Sequence, residues 1–219
     1  MALPHVGNSQ NYAATRRPGA QRQVQGHTIV SAERPHAQFV VNPHLRYLGS
    51  QTVDLHGNAE AEQFLFVDAT TDRHVRRFCW IQFEHFLPTN AMHYDSDTTR
   101  VTSLGDLTFF YDVWAYTDYS VAAADPRSDG AAAAALLADH GLSFPVRMAR
   151  VRLFHYPTAD RRSEVMVIYG EAVPDSSSIP VAGNRTSLDR SAPNAAALLV
   201  AHARDALTVR RRDPWSVSP

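Results

Sequence analysis

Residues 147 to 172 read RMARVRLFHYPTADRRSEVMVIYGEA. Two runs rich in β-branched and aromatic residues flank the turn-forming PTADRR, the pattern of an antiparallel hairpin. Side chains alternate across a strand, so each run divides into two sets. The first run gives Ala149, Val151 and Leu153 on one side and Arg150, Arg152, Phe154 and Tyr156 on the other. The second gives Met166, Ile168 and Ala172 against Val165, Val167, Tyr169 and Glu171. Pairing Tyr156 with Ser163 puts Leu153 opposite Met166 and Val151 opposite Ile168, making one face apolar. Arg152 then faces Val167, and Arg150 faces Tyr169. A slip of one residue would set both arginines among the apolar residues, which the cost of burying charge opposes.

The same reading extends outward. Glu62 to Asp68 (EQFLFVD) and His74 to Phe86 form a second hairpin across ATTDR, Leu45 to Leu55 is a strand closed by His56-Gly57-Asn58, and Leu107 to Tyr116 (LTFFYDVWAY) is an aromatic-rich strand. Cys79, Ile81, Phe83, Phe109 and Val113 join the apolar face. Phe78, Trp80, Gln82, Glu84, Phe110, Asp112, Trp114 and Tyr116 join the mixed one. Ser128 or Asp129 caps a helix through AAAAALLADH that ends at Gly141. A final helix carries Ala195, Leu198, Leu199, His202, Ala206 and Val209 at helical spacing, with Arg210 to Arg212 on its last turn against the helix dipole.

Strands joined by short turns and two late helices predict an α+β fold. The expectation is a curved antiparallel β-sheet of about seven or eight strands, open or barrel-like, with two helices packed on one side. Residues 1–27, mixed in Gly, Pro, Gln and Asn, read as a disordered or extended arm; 28–213 read as a single α+β domain and 214–219 as a C-terminal tail.

Composition removes whole classes of chemistry. All 21 Lys+Arg among the 219 residues are arginine, so there is no Schiff-base lysine, phosphate-loop lysine or lysine base. The one cysteine, Cys79, excludes intrachain disulfides and multi-cysteine metal sites. No GxG, GxSxG or HExxH occurs. A net charge of -1 offers no general field for nucleic acid, and no apolar run approaches a membrane span or a secretory signal. The chain reads as a cytoplasmic protein without cofactor, nucleic-acid partner or membrane partner.

Asp95-Ser96-Asp97-Thr98-Thr99 satisfies DxDxT and in those five residues resembles the nucleophile loop of haloacid-dehalogenase-type phosphatases. That resemblance implies a nucleophilic Asp95 and an acid/base Asp97. The context departs from it: the loop must follow a buried parallel strand, and the later lysine has no counterpart in a lysine-free chain. A turn with solvated carboxylates is the expectation. His93, Asp95 and Asp97 alternate, and a His-Asp-Asp metal site is the weaker use of the same segment.

The mixed face carries the functional expectation. Large aromatics supply contact area and a few polar groups fix orientation, the make-up of a small-molecule site; a solvated face with ion pairs of about 0–1 kcal/mol is its bland counterpart. The expected function is binding of an apolar or aromatic, anionic ligand in the cup of the sheet, lined by Trp80, Glu84, Asp112, Trp114, Arg150, Arg152, Tyr169 and Glu171. The first alternative is a cofactor-independent acid/base enzyme (hydrolase, isomerase or cyclase) using Glu84 or Asp112. The second is a homo-oligomer that uses the aromatic face as its interface.

Overall fold

The computed structural model describes residues 15–96, 98–121, 124–174, 177, 179 and 184–212. Residues 1–14 of the expected arm, Asp97 and the tail after Arg212 lie outside them. In chain order the strands are β1 (Arg16–Pro18), β2 (Gln23–Gln25), β3 (Thr28–Ser31), β4 (Ala37–Val41), β5 (Arg46–Leu55), β6 (Ala59–Ala69), β7 (Val75–Phe86), β8 (Val101–Leu104), β9 (Leu107–Tyr116), β10 (Met148–His155), β11 (Ser163–Ala172), β12 (Arg185–Ser187) and β13 (Leu207–Arg211). The helices are α1 (Asp129–Ala138), α2 (Leu188–Ser191) and α3 (Pro193–Ala206).

The strands form an open nine-stranded antiparallel sheet, ordered β1-β5-β6-β7-β11-β10-β9-β12 with β8 also on β9, and a four-stranded sheet ordered β13-β4-β3-β2. The α+β class and the antiparallel sheet are as the sequence predicts; the large sheet does not close into a barrel. Its β1 edge is Arg16-Arg17-Pro18, short, charged and lacking one N–H, which blunts further strand pairing. This part of the expected arm is extended and hydrogen-bonded to β5.

The two long helices do not share a side, contrary to the expectation. Ala133, Leu136 and Leu137 of α1 pack with Leu65, Phe78, Trp80, Met166 and Ile168. Ala196, Leu199 and Ala203 of α3 pack with Phe64, Cys79, Ile81, Val151 and Val167, where the small sheet adds Ile29, Phe39 and Val41. Neighbours along β7, such as Cys79 and Trp80, point to opposite faces, so the large sheet is a middle layer covered on both sides.

Ser128 caps α1 as expected, its Oγ accepting from Ala131 N at 3.1 Å, and Gly141 follows with φ +69°. The alanines of α1 let its backbone approach the sheet closely: Gln51 Nε2 donates to Ala132 O at 2.8 Å and Gln63 Nε2 to Asp129 O at 3.0 Å. The last helix ends at Ala206 rather than running to Val209. Leu207 and Val209 alternate as buried residues of β13 against β4, and Arg210 and Arg211 are strand residues, so they do not cap a helix dipole.

Candidate functional site

The register of the β10–β11 hairpin differs by one residue from the sequence reading. Arg152 lies opposite Ile168, Val151 opposite Tyr169 and Arg150 opposite Gly170. The physical reason is the double cover. Both parities of β11 are apolar because both faces are buried, so hydrophobicity does not select a register. The arginines enter the α1-side face at tolerable cost because each is partnered. Arg152 donates to Asp112 Oδ2 through Nη2 at 2.5 Å and Nε at 3.2 Å. Arg150 lies over the rings of Tyr116 and Tyr119, 5.0 and 5.4 Å from their centroids, and donates to Tyr119 OH at 3.1 Å.

This register divides the expected site. Trp80, Glu84, Asp112, Trp114, Arg150 and Arg152 stay together on the α1 face, while Tyr169 and Glu171 move to the α3 face. Across β7, β11, β10 and β9 the α1 face is built in rows: Phe78, Gly170, Arg150 and Trp114, then Trp80, Ile168, Arg152 and Asp112. Gly170 is required there, because a Cβ would stand 2.4 Å from the Phe78 ring carbons. Beyond come Gln82, Met166, Phe154 and Phe110, and then Glu84 opposite Glu164. The face is no open aromatic patch, since Trp80 and Tyr116 are buried within the chain.

Among the described residues, six buried side-chain polar atoms lack a hydrogen-bond partner, and five stand on this face: Trp80 Nε1, Asp112 Oδ1, Trp114 Nε1, Arg150 Nε and Tyr156 OH. Four of the five fall in the two adjacent rows around Gly170. Three are N–H donors and one is a carboxylate acceptor. Buried polar groups are nearly always satisfied, so these atoms are the candidate contact points of the face.

Farther along the face, a directional chain of hydrogen bonds runs across four strands into Glu84. Arg16 Nε donates to Gln51 Oε1 at 2.6 Å, Gln51 Nε2 to Gln63 Oε1 at 2.6 Å, Gln63 Nε2 to Gln82 Oε1 at 2.9 Å and Gln82 Nε2 to Glu84 Oε2 at 2.7 Å. Tyr94 OH donates to Glu84 Oε1 at 2.7 Å. Burial outweighs these donors and pushes the Glu84 carboxyl up to about 7. Burial and the facing Glu84 push Glu164 up to about 8. Asp112 Oδ2 is taken by the Arg152 guanidinium, which suits Asp112 to anchoring that side chain. Glu84 therefore remains the acid/base candidate, with Glu164 as a partner that becomes visible only once β7 and β11 are paired.

On the opposite face, Tyr169 OH donates to Glu171 Oε1 at 2.6 Å, and His202 Nδ1 of α3 meets the same oxygen at 2.8 Å. Tyr169 and His202 line a cavity of about 130 Å³ together with His44, Leu45, Arg77 and Asp205. Nothing in the sequence joins His202 to Glu171 beyond each lying on an inward-facing position.

The remaining candidates are dispersed. His93 and Asp95 are exposed in the irregular segment 87–96, Asp95 beside Arg161 at 3.2 Å, and Asp97 lies outside the described residues. Among the described residues, no group of three or more His, Cys, Asp or Glu is placed to hold a metal, and no helix is long and apolar enough to cross a membrane. Burial pushes the Cys79 thiol up to about 12, which leaves it inert as a nucleophile.

The comparisons with known proteins settle nothing further. The chain matches no family model, no curated protein and no solved structure.

Proposed function

We propose that the protein binds a small ligand on the α1 face, one that carries a carboxylate or similar acceptor group and a hydrogen-bond donor on an apolar or aromatic body. The observation that supports this reading is the set of four unpartnered atoms around Gly170. Trp80, Trp114 and Arg150 offer N–H groups that an anionic group would accept from, and Asp112 Oδ1 calls for a donor. Each buried polar atom left unsatisfied costs about 1–3 kcal/mol, so a ligand that completes several of them gains affinity without new apolar contact. Guanidinium also suits the task, since it binds carboxylates through two parallel N–H bonds and stacks on aromatic rings.

The test is a titration of ¹⁵N-labelled protein with aromatic carboxylates such as benzoate, watching the indole N–H resonances of the chain's three tryptophans. The reading expects the Trp80 and Trp114 resonances to move together and the effect to disappear in Arg150→Gln. Binding that leaves both indoles unmoved would place the ligand elsewhere and sink the assignment.

A second reading, acid/base catalysis on the same face, rests on Glu84 and Glu164. The two carboxyls are directly opposite each other, and Glu84, raised to about 7, can hold or release the proton that a general acid or base needs at neutral pH. It requires Glu84→Gln to abolish a reaction while ligand-induced indole shifts persist.

A further inference from the structure

The cavity on the α3 face is separated from the α1 face by the whole thickness of the sheet, and nothing in the proposed ligand site uses it. We propose that it is a second, catalytic site in which His202, oriented by Glu171, acts as the general base for water in the hydrolysis of a small neutral ester or lactone.

Three observations carry this assignment. The first is the dyad. Glu171 Oε1 takes the Nδ1 side of His202 at 2.8 Å, so the imidazole is held in the tautomer whose Nε2 carries the lone pair. A carboxylate on Nδ1 also stabilises the imidazolium that forms when Nε2 takes a proton, the arrangement that activates hydrolytic bases generally. Tyr169 OH donates to the same carboxylate oxygen at 2.6 Å and helps to fix its position.

The second is access. The His202 side chain keeps 39% of its surface exposed and Glu171 26%, so water reaches the ring from the open side while Tyr169, Leu45 and Ala206 wall the cavity. The third is the electrophilic group. Arg77 lines the same cavity and is held by Asp68, to which its Nε and Nη2 donate at 3.1 and 2.8 Å. A guanidinium fixed by its other nitrogens is placed to stabilise a developing oxyanion.

Charge and volume select the substrate class. Arg77 and Asp205 bring one charge of each sign to the cavity lining, and Arg77 is already paired with Asp68, a balance that favours a neutral ligand. The cavity offers about 130 Å³, close to the roughly 150 Å³ that accepts benzene, and so suits a small acyl compound of about five or six non-hydrogen atoms. In the reaction His202 Nε2 removes a proton from water as the oxygen bonds to the acyl carbon. The tetrahedral intermediate then loses its alkoxide, which takes the proton back from His202. Water and ester become acid and alcohol, with no other reactant.

The Tyr169–Glu171–His202 contact also ties α3 to the sheet, and a clamp alone would give no rate. The experiment is ¹H NMR of ethyl acetate and γ-butyrolactone hydrolysis by the full chain between pH 5 and 9. Turnover is expected to exceed that of the same concentration of free imidazole, to rise with pH through the titration of one group, and to fall at least about 100-fold in His202→Gln. Glu171→Gln is expected to lower kcat and shift the pH profile, and Val146→Ala, at an exposed position outside the cavity lining, is expected to change neither. Circular dichroism confirms that each variant is folded, and a variant that unfolds is replaced by His202→Asn or Glu171→Asp. Hydrolysis no faster than imidazole, or equal in a folded His202 variant, overturns the proposal and leaves the benzoate site untouched.

Discussion

Replacing Glu164 by glutamine is expected to stabilise the protein at alkaline pH and to leave its stability near pH 4.5 unchanged. Glu84 and Glu164 face each other on adjacent strands, half-buried, with carboxyls raised from 4.5 to about 7 and about 8. For an acid whose folded value exceeds its unfolded value, the folded state holds the proton more tightly. Stability is therefore greatest below pH 4.5 and falls as pH rises toward 8. One pKa unit corresponds to about 1.36 kcal/mol, so Glu164 alone has an upper limit of about 5 kcal/mol. The solvent that still reaches both side chains, and the coupling between the two titrations, reduce the expected gain in Glu164→Gln to about 2–3 kcal/mol at pH 8–9. The amide mimics the protonated acid, so the gain vanishes where both carboxyls are already protonated. Urea unfolding of both proteins at intervals from pH 4.5 to 9 measures this, and the difference between the two curves removes other titrating groups. A difference that stays flat with pH, or a variant less stable than the parent at pH 8, would refute the carboxylate pair.

Three further outcomes are expected. Gln63→Leu interrupts the amide chain between Gln51 and Gln82, leaves both with an unmatched group under α1, and should cost about 1–3 kcal/mol in urea unfolding; a neutral result would show the chain to be incidental. Gly105→Ala places a Cβ 2.1 Å from Val209 O at a backbone φ of +61°, so it should destabilise by at least about 1–3 kcal/mol and detach the β8–β9 turn from β13, seen as faster amide exchange at Asp106. Cys79, with its thiol near 12, should not react with a disulfide reagent at pH 8 until the chain is unfolded; prompt labelling of native protein contradicts its burial.

Much of the fold is written locally. The hairpin partners β6 with β7 and β10 with β11, the Ser128 cap and the alternation along β7 and β9 all follow from residue pattern, because strand period, turn chemistry and capping act over a few residues. The candidate site was legible in part. Trp80, Glu84, Asp112, Trp114, Arg150 and Arg152 share a face as their parity predicts. Three interior glutamines at matching parity, Gln51, Gln63 and Gln82, were a signal for the polar chain beneath α1.

What parity alone does not carry is the phase between strands. Ser163 to Ala172 is apolar on both sides, so its register against Arg147 to Tyr156 depends on what covers each face, and that cover comes from α1, α3 and a second sheet far away in sequence. The tertiary structure moved Tyr169 and Glu171 to the side of α3, brought His202 to Glu171 across 31 residues and set Glu164 against Glu84. The physical reason is the same in each case. Propensity and alternation are properties of a segment, whereas a one-residue register choice is decided by burial and hydrogen bonding summed over the whole sheet.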